Sequence, residues 1–330
     1  MSTVTEIVTS QPSYSFGGSC ACETSNAVTP TLDPRKVKLG ITPTLWWNDD
    51  FLNIDIGVTF EQCISEMAYA GFHGCSVGHK YPTDTKVLRS ALERRGLQVS
   101  EPWVSTYFTL DVSMKKRTLD MFHQQLEFIG QMGGGDMVVA EFGNAVNPLP
   151  AVSLWKNRPI FDDTQRARLY DGLNELGQIV QKTGMRLLYH PHMGTGVMIR
   201  EEIDLLMKNT GEDLVYLLLD TGHLAAAFVD PLGVVKDHGK RIKHIHLKDV
   251  RQKVVDRVKQ ENLSFYDGIQ AGIFTVPGDG SIDFPPIFTA LAAAGFEGWM
   301  VVEAEQNPAN ANPLEYAKKA REYLCKTLGW

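Results

Sequence analysis

Between residues 37 and 328 one theme recurs eight times: a short apolar run, a polar loop, then an amphipathic helix. The apolar runs are 37–41, 72–77, 97–103, 137–140, 185–189, 215–219, 242–247 and 299–302. Helical spacing of apolar residues follows over 60–70, 84–95, 117–132, 164–183, 201–209, 231–238, 284–294 and 313–328. Gly71, Gly96, Gly184 and Gly295 sit where these helices should stop, the usual place for a residue that must turn left-handed. Strands that alternate with helices call for a parallel sheet. Eight such units in one domain call for a closed (β/α)8 barrel, which typically needs about 250 residues. A doubly wound open sheet would place a Gly-rich phosphate loop after its first strand. Here Thr42-Pro43-Thr44-Leu45-Trp46-Trp47 follows instead. Gly133-Gly134-Gly135 precedes a strand and reads as a helix cap.

The expected architecture is therefore a single TIM barrel over residues 37–330, preceded by a flexible N-terminal tail over 1–36 that is rich in Ser, Thr and Gly. The tail has no apolar segment behind a basic start and does not read as a secretory signal. Cys20, Cys22, Cys63, Cys75 and Cys325 are odd in number and irregular in spacing, which is no disulfide framework. They read as free thiols of a cytoplasmic protein. Cys20-Ala21-Cys22 offers two thiolates, too few to close a metal site. The net charge of −7 disfavours a nucleic-acid partner, which needs clustered Lys and Arg. No apolar stretch approaches the roughly 20 residues of a membrane span.

In a barrel of this kind, functional groups gather where the strands end. The fourth apolar run ends in Glu141, the fifth in His190-Pro191-His192 and the sixth in Asp220-Thr221-Gly222-His223. The seventh carries His244, His246 and Lys248 on one face, and the eighth ends in Glu303-Ala304-Glu305. Six of the nine histidines lie between the fifth and seventh runs. A single His or Asp at a strand end is commonly a hydrogen-bonded rim residue or a helix cap. Four successive strands ending this way point to a divalent cation, because imidazoles and carboxylates converging on one mouth are otherwise costly to bury.

These motifs resemble those of the xylose isomerase-like barrels, a superfamily of sugar isomerases, ketose epimerases and endonuclease IV. Asp220 with His223, His246 and Glu303 match its ligand places. Val276-Pro277-Gly278-Asp279-Gly280-Ser281-Ile282-Asp283-Phe284 is similar to its closing segment. Trp47-Asn48-Asp49-Asp50, Tyr189-His190-Pro191-His192-Met193-Gly194-Thr195, Leu218-Leu219-Asp220-Thr221-Gly222-His223-Leu224 and Val302-Glu303-Ala304-Glu305-Gln306 narrow the resemblance to the inosose dehydratases. In the wider superfamily a Glu follows strand five; here His190 stands in its place. A shuttle of one proton between two carboxylates is thereby disfavoured. A lyase, which needs one base and one acid, is favoured.

The resemblance implies dehydration of 2-keto-myo-inositol (scyllo-inosose) to 3D-trihydroxycyclohexane-1,2-dione in myo-inositol catabolism. It implies a cation, Mn²⁺ or Co²⁺, held by His190, Asp220, His246 and Glu303, with Glu141 as a rival fourth ligand, and glutathione as a further cofactor. The small-molecule partner is a cyclitol ketone. Glu303 is the first choice of base and Glu141 the second. His223, His192 or Lys248 would protonate the departing hydroxyl; a Lys beside a cation suits acid work when its pKa is depressed. Trp47, His192, His223, Lys248 and Glu305 are expected at the substrate, with Trp46, Trp103 and Gln306 nearby. The alternatives are an inosose or keto-sugar isomerase or epimerase on the same metal, an endonuclease IV-like nuclease and a non-catalytic binding barrel. Such barrels often form dimers or tetramers, here by way of the outer helices and the 142–163 loop.

Overall fold

A computed structural model describes residues 32–330. The expected tail, with Cys20 and Cys22, lies outside the described residues except for 32–36. There Leu32 is buried and Lys36 N donates to Asp33 O in a turn, at 2.9 Å.

The strands are β1 (Val37–Ile41), β2 (Gly74–Cys75), β3 (Gln98–Val99), β4 (Trp103–Thr106), β5 (Asp136–Glu141), β6 (Arg186–Tyr189), β7 (Val215–Asp220), β8 (Ile242–Leu247), β9 (Asp249–Val250), β10 (Phe274–Thr275) and β11 (Gly298–Val302). Nine of them form one parallel sheet in the order β3-β2-β1-β11-β8-β7-β6-β5-β4. Its two edges, β3 and β4, are joined by only Ser100-Glu101-Pro102, so the sheet closes on itself. Ser100 N donates to Cys75 O on one side at 2.9 Å, and Val138 N to Pro102 O on the other at 3.4 Å. The segment read from sequence as one strand over 97–103 is thus the third stave of the barrel, broken at Pro102. Proline has no N–H for a ladder.

Two apolar layers result. A large outer core lies between strands and helices, while Val138, Leu188 and Leu218 form a separate small cluster inside the barrel. Helices follow the strands as the periodicity predicts, and Asp caps start several of them: Asp84, Asp111, Asp162 and Asp230 each accept first-turn backbone N–H groups. At the N-terminal end of the barrel Trp299 packs against Gly74, where a Cβ would meet the indole at 2.4 Å. The reading of the sequence passed over residues 251–273. They form the helices Gln252–Gln260 and Phe265–Gln270, and β10 pairs antiparallel with β9. Among the described residues no helix is long and apolar enough to cross a membrane. Cys63 and Cys75 are buried free thiols, whereas Cys325 is disulfide-bonded, against the expectation of free thiols throughout.

Candidate active site

Strand alternation turns His244 and His246 of β8 into the barrel. His244 Nδ1 lies 2.9 Å from Asp136 Oδ2 of β5, a strand that is not its neighbour in the sheet, so the contact crosses the lumen. One ionic column runs along the axis from there. Arg186 donates to Asp136 through Nε at 2.7 Å; His244 Nε2 lies 3.4 Å from Glu101 Oε2; His246 Nε2 lies 3.3 Å from Glu101 Oε1; and His246 Nδ1 lies 2.8 Å from Glu303 Oε2. Burial pushes the Glu101 carboxyl up, but His244 and His246 outweigh it and hold the group down at about 2. Glu101 and Asp136 were missed from sequence. Glu101 sits in the strand break, outside any apolar run.

At the C-terminal mouth the structure brings His190, Asp220, His246 and Glu303 together, with one donor atom from each lying within 4.8 Å of the others. Asp220 divides its duties. Its Oδ1 accepts from His223 N at 2.7 Å and caps the helix Thr221–Ala226, while its buried Oδ2 faces His190 Nε2 at 3.5 Å and Lys248 Nζ at 3.3 Å. His190 Nδ1 is buried without a hydrogen-bond partner, and Glu303 Oε2 is buried between His246 Nδ1 and Lys248 Nζ. Imidazoles and carboxylates buried this close together are costly unless positive charge offsets the carboxylates. This donor set, two imidazoles and two carboxylates, suits a divalent transition metal. A second group, His192, His223 and Glu305, adjoins the first. The His192 and His223 rings stand 3.9 Å apart, and burial, with Lys248 beside His223, pushes both well below the usual histidine range.

Lys248 joins the two groups, fully buried. Its Nζ lies 2.7 Å from Glu305 Oε2, 2.9 Å from His223 Nε2, 3.1 Å from Glu303 Oε2 and 3.3 Å from Asp220 Oδ2. Burial favours the neutral amine, but Asp220, Glu303 and Glu305 outweigh it and raise the lysine above its ordinary value. The direction is opposite to the depressed pKa expected from sequence: on their own, three carboxylates favour the charged ammonium. In turn Lys248 holds Asp220 well below the usual carboxylate range and lowers Glu303, against the upward push of burial on both.

Two further expectations are corrected. Glu141 does not reach the cluster. It shares a strand face with Met137 and Val139 of the outer core, opposite Val138 of the lumen. Its carboxylate accepts from Thr106 Oγ1 (2.7 Å), Phe108 N (3.0 Å), Thr109 N (3.1 Å), Thr109 Oγ1 (2.7 Å) and Gly143 N (3.2 Å), which ties the 106–109 loop to β5. Trp47, like Trp46, is fully buried, Lys80 covers its ring at 4.8 Å, and it is not among the residues lining the cleft. Trp103 does line the mouth, edge-on to His190 at 5.4 Å.

An open cleft of about 300 Å³ lies over the cluster, lined among others by Trp103, Phe142, His192, Glu303, Glu305 and Asp50. Asp50, unnoticed as a site residue from sequence, accepts from Asn147 Nδ2 at 3.3 Å. Crowding by the cleft walls and the nearby Glu305 carboxylate push its carboxyl up, although the residue is exposed to solvent, which moderates the rise. The volume suits a ring the size of a hexose.

A closed barrel with imidazoles and carboxylates at its C-terminal mouth defines a class, and the sequence model for the xylose isomerase-like TIM barrel matches residues 64–327. The chain belongs to that family. It is 50% identical over 295 residues to an inosose dehydratase of Geobacillus thermodenitrificans, spanning 89% of this chain and 98% of the other. It is 48% identical over 293 residues to one of Bacillus thuringiensis, again spanning 89% and 98%. At that identity over nearly the whole length the chain is a dehydratase, a hydro-lyase. Solved structures share the fold: an IOLI protein with a binding zinc atom (TM-score 0.67, 16% identity, 88% of this chain and 98% of that one) and a D-psicose 3-epimerase (TM-score 0.67, 15% identity, 89% and 100%).

Proposed function

We propose that the chain removes water from 2-keto-myo-inositol to give a trihydroxycyclohexane-1,2-dione, a step in myo-inositol catabolism, with a divalent cation, Mn²⁺ or Co²⁺, held by His190, Asp220, His246 and Glu303. The observation that carries the cation is the convergence of two imidazoles and two carboxylates, one donor atom from each within 4.8 Å of the others, beneath an open cleft. The bound ion would supply Lewis-acid stabilisation of negative charge next to the substrate ketone. The chain's own groups do the rest. Glu303, kept ionised by Lys248 and His246, takes the proton on the carbon beside the ketone. Asp50, protonated near neutrality, gives a proton to the hydroxyl that departs from the next carbon. The carbon–oxygen bond breaks with its electron pair, water leaves, and the enol left behind tautomerises to the dione. His192 and Trp103 line the cleft and orient the ring. His190 in place of a second carboxylate disfavours return of the proton to another face, as an epimerase requires.

The test is direct. Protein stripped with chelator is given Mn²⁺, Co²⁺ or Zn²⁺, with and without glutathione, and dione formation from inosose is followed by ultraviolet absorbance. Metal-dependent dione formation is expected. An isomeric inosose without dione would overturn the lyase reading in favour of an isomerase.

A further inference from the structure

The four atoms around Lys248 Nζ are all ligand-type atoms: carboxylate oxygens of Asp220, Glu303 and Glu305 and the Nε2 of His223, at 2.7 to 3.3 Å. Nothing else on Lys248 is polar, and the side chain is fully buried, with its stem packed against Gly222 and its ammonium 4.8 Å from the centre of the Phe274 ring. The ammonium thus sits in a cage that a metal ion would accept, and two of the cage residues, Asp220 and Glu303, also belong to the neighbouring four-donor group. His192, His223 and Glu305 form a possible ligand group in their own right. Two-ion sites hold their ions about 3.5–4 Å apart, and the Lys248 ammonium touches members of both groups: Asp220 and Glu303 of the first, His223 and Glu305 of the second. The charge count points the same way: one divalent ion and one ammonium neutralise the three carboxylates Asp220, Glu303 and Glu305.

We propose that the Lys248 ammonium takes the place of a second divalent cation, confining this chain to one ion, and that removing it opens a second ion site built on His192, His223 and Glu305. The inference rests on the reading of His190, Asp220, His246 and Glu303 as a cation site. A tethered cation cannot dissociate, so the carboxylates stay organised without a second metal from solution. It also leaves only one ion exposed to substrate.

The experiment counts ions. Wild type, Lys248→Ala, Lys248→Met and Lys248→Arg are purified in Mn²⁺, freed of excess ion by gel filtration and analysed for manganese and protein. One equivalent is expected in wild type and Lys248→Arg, and two in Lys248→Ala and Lys248→Met. The electron paramagnetic resonance spectrum of the doubly loaded variants should show a spin-coupled Mn²⁺ pair, which scattered surface ions do not give. Adding Glu305→Gln to Lys248→Ala should return the count to one. Should repulsion among the carboxylates unfold the metal-free Lys248→Ala protein, its melting temperature must rise as the second equivalent is added. One equivalent in both Lys248→Ala and Lys248→Met, or two in wild type, overturns the proposal while leaving the cation site standing. No ion in wild type defeats the underlying cation reading instead.

Discussion

Single side chains at the mouth have separable duties, and substitution should separate them. Glu303→Gln removes the base and one ion ligand together, and loss of at least about 100-fold in kcat is expected. Asp50→Asn keeps the base, so exchange of the proton beside the ketone with deuterated solvent should persist by NMR while dione formation falls about 100-fold. A parallel loss of both would place Asp50 outside proton donation. Asp50 is the proposed acid, and its carboxyl is raised by its surroundings towards about 7. Activity that needs it protonated is therefore present below that value and declines as pH rises through it, and Asp50→Asn should flatten this alkaline limb. Glu101 lines the cleft and stands behind His246, 3.3 Å from its Nε2; Glu101→Gln should weaken ion affinity by about 10- to 100-fold in a chelator competition, as loss of a carboxylate behind a ligating imidazole does. His190, Asp220 and Glu303 could be found from sequence because each closes an apolar run, and His246 because it alternates with Ile245 and Leu247 inside one. Asp50 could not be placed from sequence, because its approach to the cleft is set by a loop that Asn48 pins through the N–H groups of Asp50 and Phe51.

Elements position these residues, and their failures should be local. Asp249 accepts from Val250 N (2.8 Å), Gly280 N (3.0 Å), Ser281 N (2.9 Å) and Ile282 N (2.9 Å), so one carboxylate holds the 276–283 segment against β9. Asp249→Ala should cost about 2–3 kcal/mol in urea denaturation, the scale of charge-assisted hydrogen bonds lost together with burial of their donors. Gly74→Ala should destabilise by a comparable amount, because the methyl group runs into Trp299 and the neighbouring Gln98 carbonyl. Most elements were legible because periods of 2 and 3.6 mark half-buried strands and helices without reference to the rest of the chain. Val254, Val255 and Val258 give Gln252–Gln260 an apolar stripe, so that helix was readable and was passed over. Glu141 was misplaced for a plainer reason. The alternation that sends His244 and His246 inward, applied to β5 with Val138 inside, sends Glu141 outward.

For the whole molecule the buried ionic column and the outer core carry different burdens. An ion bound at the mouth stabilises only the folded chain, by about 4 kcal/mol at 1,000 times its dissociation constant. Chelator should therefore lower the melting temperature of wild type by several degrees, and Asp220→Asn should abolish that difference. An unchanged melting temperature would mean that no ion binds there. The apolar residues inside the barrel are few and stand apart from the continuous layer under the helices. What keeps the chain folded and what it does to a substrate are thereby written at different positions. A lineage can drift in the outer layer and keep its chemistry, or exchange a handful of lumen residues and acquire a new reaction without rebuilding the scaffold. A dehydratase and a D-psicose 3-epimerase that share this fold at 15% identity are what such a division of labour would leave behind.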